Sequence, residues 1–95
     1  MKTYTPKPID TSDVELTQDL LELADLLAEN THNIWARTRI DAGWSYAETR
    51  NDELKTTPCL VPYNELPDSE KTYDINTAYE TIKVLIKLGY KISKE

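Results

Sequence analysis

The stretch TQDLLELADLLAENTHNIWARTRIDAGWSY, residues 17–46, decides how the chain folds. At about 100° per residue, Leu20, Leu23, Leu27 and Ile34 fall on one line with Leu16 just ahead of the stretch. Ala24, Ala28, Thr31 and Trp35 lie on its flank, while Gln18, Glu22, Asp25, Glu29 and Asn33 take the opposite side. That pattern predicts an amphipathic helix from about residue 17 to 42, with Asn30-Thr31 its weakest point. Thr17 is placed to cap the start, and Gly43 to close the end in a left-handed conformation. In such a closure the next residue folds back on the last turn, which sets Trp44 against Arg39.

Outward from this helix the punctuation is clear. Pro6 and Pro8 make residues 1–11 an extended arm, with Tyr4 and Ile9 as its expected anchors. Ser12 and Glu15 have the spacing of a capping box, so a short turn at 12–16 should precede the helix. Pro58, Pro62 and Pro67 interrupt the middle of the chain and leave Cys59-Leu60-Val61 room for a brief edge strand at most. Tyr46, Leu60, Val61, Tyr63 and Leu66 are the expected pins of this connection. Pro67-Asp68-Ser69-Glu70 starts a second helix, for which Ile75, Ala78, Tyr79, Ile82, Leu85 and Ile86 keep helical spacing to about residue 88. Gly89 stops it, and Tyr90-Lys91-Ile92 then packs back or pairs with 59–61. The expected fold is mainly α: two long helices packed together, an ordered proline-rich connection and at most short strand segments. Residues 1–95 form one domain, with a polar tail at 93–95.

Composition narrows the function. The chain has 95 residues and a formal charge of −6, which argues against a general nucleic-acid or anionic-membrane binder, since both need a basic field. A domain of this size buries roughly 60–65% of its unfolded surface, enough for one modest core. A single cysteine, Cys59, excludes an internal disulfide, and no Cys/His cluster has zinc-ligand spacing. The start of the chain lacks an apolar signal region, so a cytoplasmic protein is expected. The first half is acidic (Asp13, Glu15, Asp19, Glu22, Asp25, Glu29) and the end basic (Lys83, Lys87, Lys91, Lys94). The plain reading is two solvated helix faces; the sharper one is pairing with a protein partner or a second copy.

No catalytic motif is present, and no cofactor or metal is expected. Cys59 with His32 is the one nucleophile–base combination available, but Cys59 sits in an apolar run that suits an inert thiol. The chemistry-bearing residues are His32, Trp35 and Arg39, spaced i, i+3, i+7 on one helix face, joined by Trp44 and by Arg50 from the connection. Flat rings beside fixed cations suit a planar, anionic, nucleotide-like ligand. The structural alternative has His32 bonding a loop carbonyl and Arg39 pairing with a carboxylate such as Asp52 or Asp74.

These residues also carry a resemblance. Tyr4-Thr5-Pro6-Lys7-Pro8-Ile9-Asp10-Thr11, Leu27-Ala28-Glu29-Asn30-Thr31-His32-Asn33-Ile34-Trp35-Ala36, Arg39-Ile40-Asp41-Ala42-Gly43-Trp44-Ser45-Tyr46 and Cys59-Leu60-Val61-Pro62-Tyr63 resemble the ryanodine-receptor repeat (RyR) domain. Leu66-Pro67, Glu70-Lys71 and Asp74 continue the match in order. The resemblance implies a compact α-rich repeat in a single-copy, bacterial-type protein, rather than the tandem pairs of the animal calcium-release channels. That tandem arrangement implies self-pairing for a single copy. The phosphorylation loop of one receptor pair has no counterpart here, and Thr57 before Pro58 departs from the histidine common in receptor repeats.

Overall fold

Thr17 turns the chain into its first helix. Its side chain accepts a hydrogen bond from the Leu20 amide at 3.4 Å, and helix α1 runs Gln18–Asp41 without a break at Asn30-Thr31. The computed structural model describes residues 3–95. At the far end Gly43 has φ 92°, its amide bonds the Ile40 carbonyl at 3.0 Å, and the Trp44 amide bonds the Arg39 carbonyl at 2.9 Å. These are the two bonds of a Schellman closure, which satisfies carbonyls that the last turn would otherwise leave unpaired. Helix α2, Asp68–Lys87, ends in the same way: Gly89 has φ 97°, with Gly89 bonded to Ile86 and Tyr90 to Leu85.

The two helices run antiparallel. Lys87 at the end of α2 reaches Asp13 just ahead of α1, while Val61 and Tyr63, just ahead of α2, meet His32 in the second half of α1. Their contact is built on small residues. Ala24 and Ala28, both 0% exposed, meet Ala78 and Ile82, which lets the helix backbones approach closely. Leu16, Leu20, Leu23, Tyr63, Ile75, Tyr79, Ile86 and Ile92 pack around this seam.

The fully buried line of α1 is therefore Ala24, Ala28 and His32; of the expected leucine line, Leu16, Leu20 and Leu23 pack half-buried on the seam, and its far end is corrected. Leu27 is 37% and Ile34 47% exposed. Beyond Leu23 the apolar arc of α1 is wider than its neighbours cover, and the alanine side is the one fully buried because it permits the closer approach to α2.

The connection holds two short strands rather than one at 59–61. β1 (Ser45–Tyr46) pairs in parallel with β2 (Thr56–Thr57), in the register Ser45 to Thr56 and Tyr46 to Thr57. Between them Asn51 and Thr56 exchange both backbone bonds at 3.0 Å, and the Asn51 side chain accepts from the Leu54 amide. Lys55 takes φ 54°, a conformation that costs a non-glycine residue roughly 1–2 kcal/mol. Its compensation is visible: its carbonyl accepts from Ser45 and its Nζ donates to the Ala42 carbonyl at 3.0 Å. Residues 59–61 lie between prolines, where ladder donors are missing, and stay outside any strand. Of the expected pins, Leu66 is buried and Leu60, Val61 and Tyr63 half-buried, whereas Tyr46 is 54% exposed. A single 3-10 turn, Tyr63–Glu65, leads into α2.

The arm is tied down differently from expectation. Tyr4 and Ile9 are exposed, and the anchor is Thr11, buried, whose Oγ1 donates to Glu80 Oε2 at 2.7 Å. The capping box does not form; the Ser12 amide instead bonds Asp10 Oδ1 at 2.9 Å, an Asx turn that competes successfully for the same amide. After α2, Ile92 packs back on the seam, while Tyr90 is exposed and pairs with nothing at 59–61. Among the described residues no helix is long and apolar enough to cross a membrane.

Two predictions follow from this framework. Ala28→Leu forces a larger side chain into the helix seam and should cost about 1–3 kcal/mol in urea denaturation, where Leu26→Ala on the exposed face should cost far less. The second concerns pH. Asp13 is held below the usual carboxylate value of 3.8, first by its bond to Lys87. Its folded pKa is depressed, so its contribution is complete above the unfolded pKa and disappears as pH falls through the folded value. The stability difference between the wild type and Lys87→Met should therefore be present at neutral pH and vanish in strong acid.

Candidate functional site

The distinctive residues gather at the C-terminal half of α1, and each is held for an identifiable reason. His32 is third on the buried line after Ala24 and Ala28, and is 4% exposed. Its Nε2 lies 2.7 Å from the Val61 carbonyl, so the ring nitrogen donates to a backbone oxygen that the flanking prolines leave without a strand partner. Trp35, one turn on, stacks against the imidazole at 5.6 Å and 27°. Tyr63 also meets His32, tilted by 53° at 6.1 Å. Its hydroxyl is buried without a protein partner, and burial, followed by the charges of Asp74, Asp25 and Glu29, raises its pKa. Lys71 Nζ lies 5.9 Å from the Tyr63 ring.

Arg39 comes one further turn along α1. Its guanidinium carbon is 5.7 Å from the Trp35 ring and 4.9 Å from the Trp44 ring. The Schellman closure sets this geometry by placing Trp44 over the residue whose carbonyl its amide bonds. Arg50 also approaches the cluster, 5.9 Å from Trp44. Asp52 orients it, 2.9 Å from its Nε; that bond, together with the Asp52 charge, raises the Arg50 pKa.

The structure thus brings His32, Trp35, Arg39, Trp44 and Arg50 into one chain of contacts, but divides their roles. His32 is committed to Val61, as the structural alternative had it. The other half of that alternative is not found: Asp52 pairs with Arg50, and among the described residues no carboxylate or carbonyl bonds the Arg39 side chain. Arg39 is half-buried, flanked by indoles and left with its five donors. Contacts of this kind contribute about 0.5–2 kcal/mol each, depending on exposure. Cys59 is half-buried, its amide bonds Thr57 Oγ1 at 3.2 Å, and among the described residues no hydrogen bond joins it to His32.

Pattern reading missed the roles of Lys55 and Lys71 and the place of Tyr63 beside His32. Lys55 closes the α1 end from the far side of the connection, a role set by long-range contact. Tyr63 was expected only as a pin of the connection, and its place beside His32 follows from the turn at Tyr63–Glu65.

Two helices laid antiparallel over an alanine seam, with a proline-rich connection locked on by a buried histidine, define a small α-rich domain with an aromatic–arginine cluster at one end. Residues 4–94 match the RyR domain family model, and the chain belongs to that family.

His32→Phe keeps the ring in place and removes the donor. The Val61 carbonyl then loses its partner in a half-buried setting, at a cost of about 1–3 kcal/mol, measurable by chemical denaturation. Arg39→Ala, which breaks no hydrogen bond, should cost less than His32→Phe.

Proposed function

We propose that this chain is a non-enzymatic binding module whose Trp35–Arg39–Trp44 cluster takes a small, planar, nucleotide-like anion. The observation that carries the reading is the state of Arg39: a fixed guanidinium between two indoles that no carboxylate or carbonyl of the described residues neutralises. A guanidinium satisfies a phosphate or carboxylate with two parallel bonds, and indole faces stack a base. Arg50 adds a second cation, reaching the same Trp44. On a chain of net charge −6, such a site attracts its ligand by short-range geometry rather than by a long-range field. His32 belongs to the site as its support: it holds Val61 and stacks under Trp35.

The test is a thermal-shift series with adenosine monophosphate, adenosine diphosphate, ADP-ribose, adenosine and inorganic phosphate. A ligand at a hundred times its Kd stabilises by about 2.7 kcal/mol, which for a domain of this size raises Tm by roughly 10 °C or more. The expected pattern is stabilisation by compounds carrying both a base and a phosphate, lost in Arg39→Ala and not restored by Arg39→Lys, which lacks the planar fork. Absence of any shift, or a shift that survives Arg39→Ala, would contradict the proposal.

A further inference from the structure

The chain exposes more surface than its mass accounts for. Its accessible area is 7802 Å², against about 5,600 Å² for a folded monomer of 10.9 kDa. Its radius of gyration is 16.4 Å, against about 12.4 Å for a compact domain of 95 residues. The extended arm carries part of this excess. Another part lies on the helices, where Leu27, Ile34, Leu85 and Leu88 are 37%, 47%, 38% and 60% exposed.

These four residues face one side. Leu27 and Ile34 sit about 100–120° around α1 from the Ala24–Ala28–His32 line, and Leu85 and Leu88 sit about 40° and about 100° around α2 from Ala78 and Ile82, in the same rotational sense. Because the helices are antiparallel, rotations in the same sense open both stripes onto the same side of the pair. The α1 stripe from Leu27 through Thr31 and Ile34 to Thr38 has no charged residue on its line, and nor does the α2 stripe from Thr77 through Thr81 to Leu88. On α2 the surface is hollowed between Asn76, Thr77, Glu80, Thr81, Val84 and Leu85, with Glu80 engaged by the Thr11 hydroxyl.

We propose that a second copy of this chain covers this face in a two-fold dimer. The face carries both halves of a self-complementary contact, exposed apolar side chains on α1 and an apolar hollow on α2. A two-fold rotation sets the first against the second twice. The whole-chain excess of about 2,200 Å², of which the arm carries part, exceeds the roughly 800 Å² that a standard interface removes from each partner. The stripes themselves carry no charge, and Glu80, the charged residue lining the hollow, is engaged by Thr11 and lies 3.9 Å from Lys83, which limits like-charge repulsion between two chains of net charge −6. The anion cluster is built on the line that packs inward and on the exit from α1, so dimer formation and ligand binding are tested separately.

Sedimentation equilibrium of the whole chain, from low to high micromolar concentration, should give a mass of about twice 10.9 kDa. Ile34→Glu combined with Leu85→Glu should halve that mass while the helical circular dichroism persists. If that double variant loses its helical signal, Thr81→Arg in the hollow takes its place with the same expectation. Leu26→Glu, exposed on the back of α1 about 80–100° around from Ile34 and Leu27, should leave the dimer intact. A single-chain mass for the wild type at every concentration overturns the proposal. So does a dimer that survives the face variants, or one that Leu26→Glu disrupts equally.

Discussion

The bond from His32 to the Val61 carbonyl is the constraint on which the rest of the structure depends. Helix α1 offers a buried donor at the end of an alanine line, and the connection offers a backbone oxygen between two prolines that cannot pair in a sheet. Joining them brings Tyr63 beside the imidazole and leads directly into the turn that starts α2. The alanine seam then sets how closely α2 approaches, and the second half of α1 is left to build its aromatic surface. Without that bond, the long connection would be held by its short strand pair, the Lys55 bond to the Ala42 carbonyl and the packing of Tyr63 and Leu66.

Because the histidine is committed to structure, the neighbouring arginine is left for other work. Arg39 owes its position to two things that are themselves structural: helical spacing from Trp35 and the glycine closure that returns Trp44. Neither uses its hydrogen-bond donors. Arg50 shows the contrast, since Asp52 takes its Nε. Membership of the RyR domain family fixes what kind of domain this is, while the state of these two arginines is what gives the anion proposal its chemistry.

Much of this was legible in the residues. Thr17, Gly43, Gly89 and the prolines act through local backbone geometry, so both helices and both closures could be placed from short-range rules. The stacking of Trp44 on Arg39 followed from the same closure. What escaped was decided between distant segments. The choice of alanine over leucine as the buried line depends on what α2 presents, and helical periodicity marks an apolar arc without saying which part of it a neighbour will cover. The pairing of β1 with β2 in parallel, and the positive φ of Lys55, arise from the return of the chain at Asn51 and leave no periodic trace. Ser12 looked like a cap because its spacing to Glu15 was right, yet Asp10, two residues earlier, competes for the same amide over a shorter span.

The division of labour between His32 and Arg39 is the central claim, and a single nitrogen-resolved NMR titration with adenosine monophosphate tests it most directly. The account predicts that the Arg39 Nε–H and the indole N–H signals of Trp35 and Trp44 shift together on a common binding curve, while the His32 Nε2–H keeps its position and its slow exchange. A titration that leaves Arg39 unmoved, or one in which His32 loses its protection as ligand is added, would contradict it.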